Sequence, residues 1–250
     1  MTELLYQTDS SLQTFTAEIT AVDEANRAVL LDRSAFYPGG GGQPHDTGLL
    51  EIEGQQTAVV RVKKGPEGVW HYLVSEGPLP AAGLQVRGII DWDRRYALMR
   101  THTALHILCG SVFRDYGAQV TGGDMEPLSG RMDFEFETLS KELVRVIEDA
   151  VNREVRAARD VRVNILPRDE AFQIPDLIRT KINLLPPGIE FVRTLEIVGL
   201  DLQADGGTHV RSTAEVGQIK VVDYKSKGRI NKRIYIELGP LESSRAEGEA

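Results

Sequence analysis

A chain of 250 residues with 41% hydrophobic and 26% charged side chains has the apolar material of an ordinary globular protein, and needs neither disulfides nor metal simply to fold. Its single cysteine, Cys109, excludes an intramolecular disulfide framework and suits a reducing compartment. A formal net charge of −8 argues against a protein that coats nucleic acid indiscriminately, and no apolar run approaches the ~18–20 residues that span a bilayer. The first residues, MTELLYQTDSS, lack the basic start and apolar core of a secretory signal, so the expected location is the cytoplasm.

The predicted elements begin with six strand-like runs separated by turn residues: 14–20 (TFTAEIT), 28–32 (AVLLD), 48–54 (GLLEIEG), 57–64 (TAVVRVKK), 68–74 (GVWHYLV) and 84–91 (LQVRGIID). In the fourth, Val60 and Val62 alternate with Arg61 and Lys63, which predicts that the two valines share a buried face. Six such runs suggest a small β-barrel or a strongly bent sheet over residues 1–92. From Arg94 the pattern becomes helical, with Asp93 as the expected N-cap and Gly117 as the stop. A strand follows over 129–137, where Met132, Phe134 and Phe136 alternate with polar residues. A second helix follows over 139–158, with Leu143, Ile147, Val151 and Val155 on one face. Strands are expected at 161–167, 189–198, 218–226 and 231–239, with a proline-rich connection around Pro186 and Pro187. The fold class is therefore α+β: a small N-terminal β-barrel-like domain over 1–92, an α+β core over 93–241, and a disordered tail over 242–250.

Three short segments carry possible chemistry. In His102-Thr-Ala-Leu-His106 the histidines lie four apart, which on a helix puts them on one face about 6 Å apart, close enough to share a metal ion. No glutamate follows the first histidine, so this is not a metalloprotease helix. In Asp205-Gly-Gly-Thr-His209 two glycines permit a tight turn on which a carboxylate and an imidazole can converge. Together the two motifs offer three imidazoles and a carboxylate, a donor set that suits zinc if the fold unites them; alone, each also fits an incidental pair of histidines or a plain turn. Cys109 shares the helical face of His102 and His106, but lies about 10 Å along the axis from His102. It reads as a buried structural thiol. The third segment, SAFYPGGGGQPHDTG (34–48), exposes backbone N–H groups to a close ligand without the Lys-Ser/Thr of a P-loop. Near the C-terminus, Lys225, Lys227, Arg229, Lys232 and Arg233 fall within nine residues. By composition they make a solvated basic turn or a phosphate-binding one.

Taken in order, FYPGGGGQPHDTG, RTHTALHIL, QADGGTHV and KGRINKRIYIEL resemble the AlaX family and the editing domain of alanyl-tRNA synthetase, over about residues 15 to 239. The resemblance implies a hydrolase that deacylates Ser-tRNA(Ala), and Gly-tRNA(Ala) as a second substrate, with tRNA(Ala) as partner and one Zn²⁺ per chain. It assigns the metal to His102, His106, Asp205 and His209. The family often has cysteine where this chain has Asp205, so Asp205 is either an oxygen ligand or a support for three histidines. The resemblance also places Ser34 where a hydroxyl helps to read the substrate serine. Gln43 becomes the candidate for holding the attacking water. Gly40, Gly41 and Gly42 become donors to the oxyanion or the terminal adenosine. Lys225, Lys227, Arg229, Lys232 and Arg233 become tRNA contacts, with Arg94, Arg95 and Arg100 as possible additions. The other readings are a hydrolase for a different mischarged tRNA, a tRNA-binding module with a structural metal, and a metal-dependent hydrolase of small esters or amides.

Overall fold

The computed structural model describes residues 1–74, 77–179 and 188–241. After the two-residue strand β1 (Glu3–Leu4), the chain builds β2 (Thr14–Asp23), β3 (Ala28–Leu31), β4 (Arg33–Ser34), β5 (Gly48–Ile52), β6 (Gln55–Gly65), β7 (Gly68–Leu73) and β8 (Gln85–Ile90). Six of these close a barrel in the order β2-β3-β7-β6-β5-β8, while β1 and β4 pair in parallel beside it. The barrel follows from two-residue alternation. On β2, Phe15, Ala17 and Ile19 turn inward while Thr14, Thr16 and Glu18 face solvent. Val29, Leu31, Leu50, Val62, Val69, Val86 and Ile90 complete the interior. The face expected for β6 is corrected here. A register shift between Val59 and Arg61 puts Val59 and Val62 inside and leaves Val60 half exposed. A bulge adds one residue and so breaks strict alternation.

Helix α1 (Trp92–Tyr116) leaves the barrel directly. It starts two residues before the expected Arg94, because Asp91 and not Asp93 is the N-cap: its side chain accepts from the Arg94 N–H. Gly117, in the left-handed conformation, ends it as expected. Every residue from 98 to 112 is buried, so α1 is a core helix enclosed on all sides, not a surface helix with one apolar stripe.

Around α1 wrap β9 (Val120–Glu126), β10 (Ser129–Glu135), α2 (Lys141–Arg156), β11 (Val161–Pro167), the short α3 (Arg168–Ala171), β12 (Phe191–Ile197), β13 (Asp201–Ala204), β14 (Ile219–Ser226) and β15 (Asn231–Leu238). One sheet runs β14-β15-β10-β9 and another β11-β12-β13. Leu98, Leu105, Leu108 and Val112 of α1 pack with Phe134, Ile147, Val151, Ile234 and Ile236 in a second core separate from that of the barrel. The molecule is thus α+β, with a closed six-stranded barrel joined through a central helix to a mixed core. The proline-rich connection and the tail expected over 242–250 lie outside the described residues. Among the described residues no helix is long and apolar enough to cross a membrane.

Candidate metal centre

One turn of α1 separates His102 from His106, and their rings meet edge to face at 5.1 Å between centroids. The turn after β13 supplies Asp205 and His209, whose ring stacks on His102 at 4.2 Å. One ligand atom from each of these four residues lies within 4.8 Å of the other three. The Asp205 carboxylate sits among the imidazoles. Its Oδ1 is 3.5 Å from His102 Nε2 and 3.7 Å from His106 Nε2, and its Oδ2 is 2.9 Å from His209 Nε2. Two ligands each about 2.1 Å from a tetrahedral ion stand about 3.4 Å apart; the three Asp205–histidine distances bracket that value, and the 4.8 Å limit of the whole group is wider.

The turn is built to reach this position. The Gly207 N–H donates to Asp205 Oδ2 at 2.7 Å. A Cβ on Gly207 would fall 2.3 Å from His102 Cε1 and 2.6 Å from Gln43 Oε1, so only glycine lets the backbone lie against the ring. Arg193 of β12 donates to the Asp205 carbonyl at 2.9 Å and to the Gln7 carbonyl at 2.9 Å, tying the turn to the N-terminal segment.

Outside the four residues, each histidine has a partner for its second nitrogen. Gln43 Oε1 accepts from the Thr208 backbone N–H at 3.0 Å, which fixes the orientation of the amide. The same oxygen faces His102 Nδ1 at 3.0 Å, so His102 carries its proton on Nδ1 and turns Nε2 to the cluster. Thr103 Oγ1 meets His209 Nδ1 at 3.2 Å. Asp201 Oδ2 lies 3.5 Å from His106 Nδ1. Burial, opposed by Asp205, pushes His209 down to about 4. Burial and the neighbouring His209 hold His102 well below its ordinary value. At His106 burial is outweighed by the carboxylates of Asp201 and Asp205, which raise it to about 9. Burial alone would raise the Asp205 carboxyl, but the facing imidazoles and the hydrogen bonds from His106 and His209 hold it well below the carboxylate range. An ionised Asp205 beside neutral His102 and His209 is the state in which such groups ligate a divalent ion, whereas His106 has a proton to give up first.

The other expected site residues divide. Gly39, Gly40, Gly41 and Gly42 all take positive φ, and Gly40 and Gln43 close the loop with reciprocal backbone bonds of 3.0 and 2.9 Å. Gln43 is buried, and its Nε2 donates to Thr208 Oγ1 at 2.7 Å. Its amide therefore supports His102 and the turn. Ser34 is fully buried in the barrel, where it accepts from the Phe36 N–H at 3.1 Å and lies 2.8 Å from His71 Nε2. Its hydroxyl has its partners in the barrel core and not in the cluster. Cys109 is buried, with burial pushing its thiol up to about 12, and stands outside the four-residue group.

Of the five basic-turn residues, Lys227 and Arg229 are exposed, while Lys225 pairs with Asp223 at 2.8 Å. Lys232 is buried and donates to the carbonyls of Gly228 and Arg229, and Arg233 is held by Asp133 at 2.6 and 2.8 Å. Two of the α1 arginines are corrected. Arg95 is wholly buried against Asp46, and Arg100 is buried donating to the carbonyls of Val216 and Gly239, so neither faces an RNA. Arg94 donates to the His45 carbonyl at 3.2 Å. Thr103, Arg193, Asp201 and Thr208 carry no local signal of their part in the site, because their partners lie on distant segments.

Two family models match the sequence: class II (A) tRNA synthetases over residues 6–94, and the threonyl and alanyl tRNA synthetase second additional domain over residues 192–235. The chain is 39% identical to the alanyl-tRNA editing protein AlaX-M of Saccharolobus solfataricus, covering 96% of this chain and 100% of that protein. The chain belongs to the AlaX-M family of alanyl-tRNA editing proteins. AlaX-M of Methanosarcina mazei is 37% identical over 95% of this chain and 97% of its own. The alanine–tRNA ligase of Pyrobaculum neutrophilum is 39% identical over 88% of this chain but only 25% of the ligase, so the AlaX-M fold matches one part of that larger enzyme.

Proposed function

We propose that this chain is a trans-editing hydrolase that removes serine, and glycine as a second substrate, from mischarged tRNA(Ala). The reaction is assigned to the cluster of His102, His106, Asp205 and His209. The observation that carries this reading is the convergence of three imidazoles and one carboxylate beside a glycine-rich loop. It gains weight from relatives matched over nearly their whole length that are named alanyl-tRNA editing proteins.

The bond to be cleaved is an ester between the amino acid and the terminal ribose. Its hydrolysis needs an activated water, donors for the charge that develops on the carbonyl oxygen, and a means of sparing alanine. One zinc ion per chain on these four donors would supply a Lewis acid and draw the pKa of a water toward about 7. Gln43 and Thr103 hold His102 and His209 so that their Nε2 atoms face the centre. Among the described residues the N–H groups of Gly41 and Gly42 meet no acceptor. We assign them to the substrate carbonyl or the terminal adenosine. Serine is favoured over alanine when the site hydrogen-bonds the serine hydroxyl, because alanine leaves that partner unpaired at about 1–3 kcal/mol per group; this contact gives glycine no advantage over alanine. Lys227 and Arg229 are assigned to tRNA phosphates.

Incubating the zinc-loaded protein with tRNA(Ala) charged with serine, glycine or alanine, and with a different tRNA charged with serine, tests both halves of the reading. Loss of serine and glycine from tRNA(Ala) alone is the expected result. Equal loss of serine from both tRNAs would move the assignment to a broader hydrolase.

A further inference from the structure

Gly110 stands in the middle of α1, one turn after His106, at a position where a helix ordinarily prefers a residue with a side chain. The reason is visible across the interface with β13. A Cβ at Gly110 would fall 2.8 Å from Asp201 Cβ and 3.3 Å from Asp201 Cγ. The missing side chain is the space through which Asp201 approaches α1. The carboxylate that enters there is almost fully buried, and its Oδ2 lies 3.5 Å from His106 Nδ1, on the opposite side of the ring from the nitrogen that faces Asp205.

Asp201 is itself held. The Gln203 amide donates to Oδ2 at 2.5 Å and to Cys109 Sγ at 3.2 Å, and Arg179 Nε stands 3.5 Å from Oδ1. The Gln203 nitrogen also lies 3.4 Å from His106 Nδ1, but Oδ2 and Sγ take its two hydrogens. With both Gln203 hydrogens spent on Oδ2 and Sγ, the bond between Asp201 and His106 takes the proton of Nδ1.

We propose that Asp201 is a positioning residue for the metal centre: it holds the His106 ring with Nδ1 protonated and Nε2 presented to the ion, and Gly110 is the gap in α1 that admits it. The inference rests on reading the cluster as a metal centre. The four-residue group accounts for the histidines; Asp201 and Gly110 account for why one of them cannot turn away.

The test measures zinc affinity by competition with a chromogenic chelator for the wild type, Asp201→Asn and Gly110→Ala. Long-range ¹H–¹⁵N spectra of the zinc-loaded proteins report the His106 nitrogens. Asp201→Asn is expected to weaken zinc about 10–100-fold, and to move the His106 Nδ1 signal while those of His102 and His209 stay. Gly110→Ala keeps the test decisive if Asp201→Asn folds poorly. On helix propensity alone alanine stabilises α1, yet here it should displace Asp201 and weaken zinc. Unchanged affinity and unchanged His106 signals in both variants would overturn the proposal while leaving the metal centre standing. Failure of the wild type to bind zinc would overturn the metal reading and this inference with it.

Discussion

The amide oxygen of Gln43 and Nδ1 of His102 meet at 3.0 Å across 59 residues of sequence, joining the glycine-rich loop between β4 and β5 to the central helix. The same oxygen accepts from the Thr208 N–H, so a single side chain locks the loop, the helix and the metal-bearing turn together. Gln43→Ala leaves a buried N–H and an imidazole N–H without acceptors, a loss of about 1–3 kcal/mol for each unpaired group. The expected outcome is a lower melting temperature together with zinc affinity reduced about 10–100-fold. Gln43→Glu keeps an acceptor and should retain more zinc than Gln43→Ala. Equal zinc binding by Gln43→Ala and the wild type, in a competition titration, would remove Gln43 from the site.

Neighbouring glycines in the turn make a paired test. At Gly206 an added Cβ meets nothing within 4 Å, whereas at Gly207 it meets His102 Cε1 at 2.3 Å. Gly206→Ala should therefore bind zinc as the wild type does, and Gly207→Ala should lose it with a fall in stability of a few kcal/mol, as for other overpacked cores. Calorimetric melting with and without zinc separates the two. Similar behaviour in both variants would contradict the close approach of the turn to the ring.

Zinc loading should release protons in a defined pH window. With His106 raised to about 9 and with His102 and His209 held low, the metal-free cluster near pH 7 carries one extra proton, on His106. A metal must displace it. Affinity should rise about tenfold per pH unit between about pH 6.5 and 9 and then level off. Proton release close to one per ion at pH 7.5 is measurable by titration in buffers of different ionisation enthalpy. In the metal-free protein the raised His106 value stabilises the fold fully below about pH 6.5, the unfolded value, and this contribution is lost as pH rises through about 9. A pH-independent affinity over this window would show that His106 is already neutral.

In the basic turn, charge and exposure predict different outcomes for adjacent residues. Lys227→Ala and Arg229→Ala remove exposed cations and should weaken tRNA binding, each lowering the slope of log K against log salt by about 0.7–0.9. Lys232→Ala removes bonds to two carbonyls of the turn and should act on the fold of the hairpin. Filter binding of tRNA at several salt concentrations distinguishes them. An unchanged slope in the Lys227/Arg229 double variant would place the phosphate contacts elsewhere.

What could be read in advance follows the range of the interactions. The barrel strands announce themselves by alternation, as on β2, and α1 by its span and its Gly117 stop, because these are local signals. The spacing of His102 and His106 is equally local. Strand β9 carries no such signal: VTGGDME pairs two glycines with acidic residues, and it is a strand only through its register with β10. Arg95 and Arg100 look like solvated charges in RRYALMR. They are buried because Asp46 and the carbonyls of Val216 and Gly239 come from remote segments to meet them. Nothing local to Ser34 marks its partner; only the fold places His71, 37 residues away, against its hydroxyl.

The most direct test of the central claim is the release of serine from Ser-tRNA(Ala) by the zinc-loaded protein, with Ala-tRNA(Ala) as comparison and His106→Ala as control. The account predicts rapid loss of serine, retention of alanine, and a rate in His106→Ala reduced to that of the uncatalysed ester. A folded, zinc-loaded protein that binds Ser-tRNA(Ala) and leaves the ester intact would contradict it.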